Sequence, residues 1–198
     1  MNQKIGMTAS AANVTAVGIF ALSMLTGNTF FSYLSSMFIA LSFVPMMCAF
    51  CFYAEEERKV AGIIAVGFSV IYATIILLVY FAQLTNLRLD PLTDQAVKLL
   101  DFQKFGLFFN YDMLGYALMA LSTFFAGLTL SQNRWLKSLL MIHGIFFISC
   151  LIIPVMGIFS TDGNPLVGIA VLETWCIYFI PVGLLSYRFF RDSGGRLH

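Results

Sequence analysis

Charge is scarce in this chain: 198 residues carry only 11 basic and 10 acidic side chains, a net of +1 with histidine neutral. Spread so thinly, they build no field that would draw nucleic acid or an acidic substrate, and nucleic-acid binding is set aside. Histidine is rarer still, His143 and His198 being the only two. That excludes a multi-histidine metal site and a haem held between two histidines inside a membrane. HExxH, a phosphate-cradling glycine loop and a serine-histidine-aspartate arrangement are all missing, so hydrolysis within the membrane lacks its usual residues. No metal and no cofactor is expected.

What fills the chain is apolar: 60% of its residues are hydrophobic and the mean hydropathy is +0.87, a balance that belongs to integral membrane proteins. A helix crosses about 30 Å of hydrocarbon with about 20 mainly apolar residues. Six segments qualify, at 9–26, 30–53, 60–84, 105–130, 136–159 and 166–187. Lipid offers no partner to backbone amides, so each is expected to be helical. The sequence therefore predicts an all-α, polytopic membrane protein, a six-transmembrane-helix bundle in a single domain over residues 1–198. The run after Lys4 is followed by no small-x-small cleavage pattern and reads as the first membrane helix, retained.

Turn chemistry supports the count. Gly27-Asn28 makes a tight turn, with Thr29 positioned to cap the next helix, and residues 161–165 (TDGNP) form a dense turn cluster. Glu55, Glu56 and Glu57 sit where a third helix would begin, favoured by its dipole, and Arg134-Trp135 reads as an interface anchor. The one long connection, 85–104, contains LTDQAVKLLDF, a Thr/Asp start followed by apolar residues at helical spacing, and predicts a short external amphipathic helix between the third and fourth spans.

An acid stands out in the last span: Glu173 within LVGIAVLETWCIYFIPVGLL. A charged side chain at membrane depth costs at least about 2.5 kcal/mol, so it is expected to face inward with a partner or a proton. Asp112, at similar depth in the fourth span, is the expected partner, and the two together would share a proton or a cation. Asp112, Tyr116, Met119 and Thr123 fall on one face of the fourth helix; Ser69, Tyr72, Tyr80 and Gln83 fall on one face of the third. Two polar stripes in lipid should turn inward, predicting a polar cavity in the outer leaflet lined by the third, fourth and sixth spans, with Tyr72, Tyr80, Gln83, Tyr116 and Trp175 as ligand-binding residues beside the two acids. His143 is expected either to pack through hydrogen bonds, with Thr123 or Tyr178, or to relay protons from a deeper acid.

Cys48, Cys51, Cys150 and Cys176 include one CAFC pair. The count resembles that of membrane disulfide-generating proteins, a resemblance that would imply redox catalysis. That chemistry needs cysteine pairs in or beside external loops, whereas all four fall inside apolar runs and read as small hydrophobes. Pro45, Pro154 and Pro181 each free a backbone carbonyl one turn earlier. FIALSFVPMMCAF from Phe38 and FISCLIIPVMGIF from Phe147 share five identities in thirteen, the pattern of an inverted three-plus-three repeat.

These features point first to a membrane protein that binds or transports a small cationic or proton-coupled solute through an intramembrane carboxylate. Two alternatives are an accessory or sensor subunit docking a membrane partner protein through Gly115, Ser122 and Gly127, and a lipid-modifying enzyme using Asp112, His143 and Glu173. With both termini inside, Lys4, Arg58, Lys59, Arg134, Lys137, Arg188, Arg191 and Arg196 face the cytoplasm, against Arg88, Lys98 and Lys104 outside, which obeys the positive-inside rule for a bacterial inner-membrane protein. Reporter fusions after Tyr53 and at the C-terminus should accordingly be active only as cytoplasmic reporters, and a fusion at 90–104 only as an extracytoplasmic one.

Overall fold

The computed structural model describes residues 1–89, 91–157 and 165–193, the side chains of 165–167 excepted. Nine α-helices are described, α1 (Asn2–Leu25), α2 (Thr29–Tyr53), α3 (Lys59–Leu84), α4 (Asn86–Leu89), α5 (Asp94–Leu100), α6 (Leu107–Leu128), α7 (Arg134–His143), α8 (Phe146–Val155) and α9 (Pro165–Ser193), with short 3-10 helices at Glu56–Arg58 and Phe102–Lys104 and no strand among the described residues. Six stretches are long and apolar enough to cross a membrane: α1, α2, α3, α6, the α7–α8 pair and α9. The chain is an all-α multi-pass membrane protein. Turn residues 161–164, together with Arg196 and His198, lie outside the described residues.

α1, α2, α3 and α6 pack side by side in chain order, α9 returns against α1, and α7 and α8 lie along α6. The near end of the bundle holds the start of α1 and the end of α9; the far end holds the connection 85–106. Close approach comes from small residues. A Cβ on Gly62 would meet the Cys51 backbone at 2.8 Å, one on Gly115 would touch Ile76, and one on Gly127 would meet Met141 at 2.8 Å. Ser122 donates to the Ala65 carbonyl at 2.7 Å, tying α6 to α3. The small residues expected to dock a partner's helix are thus consumed by the chain's own packing. At the near end the Arg58 guanidinium donates to the Leu130 carbonyl at 3.0 Å, closing the C-terminal end of α6.

Several boundaries differ from the sequence expectation. α1 begins near residue 2 rather than 9, because Gly6 packs directly on the Phe190 ring and holds the first turn against α9. Asn28, not Thr29, caps α2, its side chain accepting from the Phe31 amide at 3.2 Å. α9 runs on to Ser193, past the expected end at 187. The expected amphipathic helix is α5, capped by Thr93, with Leu92, Val97 and Leu100 half-buried and Asp94 and Lys98 exposed.

The fifth span is broken where the sequence reads as continuous. After His143 the amides of Ile145, Phe147 and Ile148 bond three residues back, to Ile142, Gly144 and Ile145, at 3.0 to 3.2 Å, a 3-10 turn inside a membrane helix. Gly144 permits it: a Cβ there would meet Phe124 Cβ at 2.6 Å. Beyond the turn, α8 packs on α6 and has no buried residue. This also separates the two halves of the expected repeat, because α2 runs unbroken through Pro45 and packs along α3, whereas the fifth span meets α9 through α7.

Gly62→Val should drive α2 from α3 and destabilise the bundle by about 1–3 kcal/mol, the usual cost of overpacking; denaturant titration of the purified protein in mixed micelles measures it.

Candidate functional site

Both polar stripes face inward. Ser69, Tyr72, Tyr80 and Gln83 of α3 are buried, as are Asp112, Met119 and Thr123 of α6, with Tyr116 half-buried between them. Their periodicity required a common face, and the lipid surroundings decided which way it turned.

Asp112 lies at the centre of one group. It is 2% exposed. The Tyr80 hydroxyl faces its carboxyl, with Ser36 and Tyr116 beside it, and Tyr72 and the Cys150 thiol of α8 lie within its electrostatic reach. No salt bridge among the described residues involves Asp112. Its Oδ1 is buried without a hydrogen-bond partner, and so is the hydroxyl of Tyr72, which is fully enclosed. Phe43 packs edge-on to the Tyr72 ring at 5.4 Å, and Tyr33 lies 5.5 Å from the Tyr80 ring.

Tyr116 links this group to a second one. Its ring is 6.1 Å from Tyr72 and 5.7 Å from Trp175. The Trp175 indole donates to His143 Nε2 at 3.0 Å, and His143 Nδ1 lies 2.7 Å from the Thr123 hydroxyl. Indole nitrogen can only donate, so Nε2 carries a lone pair. The Thr123 hydroxyl in turn donates to the Ala120 carbonyl at 2.8 Å, which leaves its oxygen to accept from His143 Nδ1–H. Every proton in the chain Trp175, His143, Thr123, Ala120 is thereby assigned, and the imidazole is neutral. Phe179 closes over the ring at 5.0 Å and Tyr178 stacks beside it at 6.1 Å, its own hydroxyl donating to the Leu139 carbonyl.

His143 thus takes the packing role: both ring nitrogens are occupied within the protein and no acid is hydrogen-bonded to it. The relay and the Asp112–His143–Glu173 enzyme constellation do not assemble around it. Glu173 also stands apart from Asp112. It is half-exposed, its electrostatic neighbour is Cys176 one turn on, and its Oε1 is enclosed without a partner. Equal depth along two helices placed the acids at one level but did not turn them toward each other. Gln83 holds the loop instead of a ligand: its amide donates to the Leu100 carbonyl at 2.7 Å and accepts from the Phe102 amide at 3.3 Å.

A ring stands over the place where the sequence expected an open cavity. Phe102, clamped by Gln83, lies 6.1 Å from Tyr80 and 5.4 Å from Phe109, forming an aromatic cover over the Asp112 group. Of two hollows among the described residues, one lies at the near end between α1 and α2 and one at the far end beside α5, and neither is lined by the residues expected to bind a ligand. The four cysteines are free, and no three His, Cys, Asp or Glu side chains cluster among the described residues. Sequence reasoning missed Tyr33, Ser36 and Phe43 of α2. Ser32, Ser35, Ser36, Ile39 and Phe43 recur at helical spacing there, and that signal was available.

A scan against protein-family models, a search of curated proteins and a search of solved structures each return no match to this chain. The class that the architecture defines, a polytopic all-α membrane bundle with a buried carboxyl, rests on the chain itself.

Trp175→Phe removes the only donor to His143 Nε2 and should cost about 1–2 kcal/mol of stability through one lost hydrogen bond and one unmatched acceptor. Nitrogen-15 NMR of ring-labelled histidine should show the Nδ1–H tautomer in the wild type and its loss as the single form in the variant.

Proposed function

We propose that this chain binds or transports a small solute or ion, and that the Asp112 carboxyl is the working group, taking up a proton or receiving the cationic part of a solute. The observation that carries the reading is the pair of unmatched atoms, Asp112 Oδ1 and the Tyr72 hydroxyl, enclosed in one cluster. An unmatched buried polar atom costs about 1–3 kcal/mol, a penalty that a proton or a cationic donor at this position would relieve. The rings of Tyr72, Tyr80 and Tyr116 supply faces that attract a cation. Asp112, rather than Glu173, takes the central place because it is the acid that the other polar residues surround.

Access is by way of α8. This helix buries none of its residues, is joined to α7 by a 3-10 turn, and brings Cys150 toward the carboxyl. Swinging about Gly144-Ile145, it would open the cluster toward the bilayer. The charge bias of the loops supports an inner-membrane location with both termini cytoplasmic. No observation favours the accessory-subunit or the lipid-enzyme reading, since the docking stripe is buried and the enzyme residues are dispersed.

Proteoliposomes containing a pH-sensitive dye, challenged with inward gradients of sodium, potassium, tetramethylammonium or methylamine, test the proposal. One of these should move protons, and Asp112→Asn should slow the flux at least about tenfold, or 1.4 kcal/mol, while the protein still folds. Tyr72→Phe, which deletes the unmatched hydroxyl, should leave the bundle at least as stable and still slow the flux. Unchanged flux in both variants, or greater stability with no change in flux, assigns the cluster a purely structural role.

A further inference from the structure

A hollow of about 460 Å³ lies at the opposite end of the bundle from the Asp112 cluster, between the first turns of α1 and the second half of α2. Ile5, Ala9, Ala12 and Pro45 form its walls, and Lys4 and Thr8 stand at its mouth. It exists because the two helices present little bulk where they diverge: two alanines on α1 and a proline ring on α2. On a surface where large side chains such as Leu22, Ile63, Leu78 and Ile177 stand exposed, it is an apolar recess with the volume to take a length of acyl chain.

The mouth has its own chemistry. Lys4 makes no salt bridge among the described residues, and no acidic residue lines the hollow. The positive end of the α1 dipole adds charge of the same sign. Most hydroxyls within the spans donate to their own helix, as those of Ser10, Thr15, Ser23 and Ser42 do; that of Thr8 makes no hydrogen bond among the described residues and remains available to an acceptor. A free cation and a free hydroxyl above an apolar channel match a phosphate above an acyl chain.

We infer that this groove is a binding site for an anionic phospholipid, with an acyl chain lying along Ile5, Ala9, Ala12 and Pro45 and the headgroup phosphate held by Lys4 and Thr8. The inference is independent of any role for Asp112. Anionic lipids attract basic groups at the membrane surface, and the groove adds shape to that attraction, so the site discriminates between headgroups instead of collecting lipid in general.

Native mass spectrometry of the full chain, given equal amounts of phosphatidylglycerol and phosphatidylcholine with matched acyl chains, reads the preference. Phosphatidylglycerol should be retained about tenfold or more over phosphatidylcholine, equivalent to 1.4 kcal/mol. Lys4→Gln should bring the ratio close to one while lipid still binds, and Ala12→Phe, which fills the channel from an exposed position, should reduce retention of both lipids. A photoactivatable phosphatidylglycerol should label residues 1–12 and 42–45 of the wild-type protein, a readout that needs no variant. Equal retention of the two lipids, a preference that survives Lys4→Gln, or labelling confined to other helices overturns the inference.

Discussion

Hydrocarbon supplies no hydrogen-bond partner, and the placement of nearly every polar side chain in this molecule answers to that constraint. Serines and threonines in the spans fold back onto carbonyls of their own helix. The Asn13 amide nitrogen reaches across to the Ile39 carbonyl and Ser42 at 3.1 and 3.0 Å, its Oδ1 staying unmatched, and Ser122 reaches to Ala65. His143 finds a donor on α9 and an acceptor on α6. Against so much matching, the few atoms left over carry information. Asp112 Oδ1 and the Tyr72 hydroxyl are left over in the same place, which is why the functional reading gathers there and not at the more conspicuous acid in the last span.

The sequence made legible whatever depends on one helix at a time. Span count follows from hydropathy and length, and the inward faces of α3 and α6 follow from the three-to-four-residue spacing of Tyr72, Tyr80, Asp112 and Thr123 together with the lipid surroundings. Relations between helices were less accessible. Depth along an axis can be counted, and it set Asp112 level with Glu173; rotation about the axis depends on the neighbours, and it left Asp112 out of the surroundings of Glu173. Gln83 shares the polar stripe of α3, yet its partners lie 17 and 19 residues away in a loop whose path only the folded chain defines. The break after His143 was hidden for a different reason. It is a single 3-10 turn within an apolar run, and hydropathy is indifferent to which carbonyl an amide chooses.

The bundle is unequal in cohesion. α1, α2, α3 and α6 meet through glycine, alanine and serine contacts, and interior packing of this kind has discrete arrangements and resists continuous deformation. The fifth span joins this body through α7, where Leu136, Leu140 and His143 are buried, and continues along α6 as α8, which has half-buried residues and no fully buried one. The half-helix beside the buried carboxyl is thus the one long segment of the bundle among the described residues with no fully enclosed side chain.

The aromatic cover at the far end bears on the direction from which anything approaches. Gln83 ties the connection carrying Phe102 to α3 from both sides of its amide, so the ring and the helix beneath it are joined by two hydrogen bonds. Over Tyr80 the described residues set a phenyl ring, while the flank beside α8 carries large exposed apolar side chains, among them Ile148, Ile152 and Val155. For a solute that reached the carboxyl along that flank, oil–water partitioning, more than concentration in the aqueous phase, would govern how often it arrives.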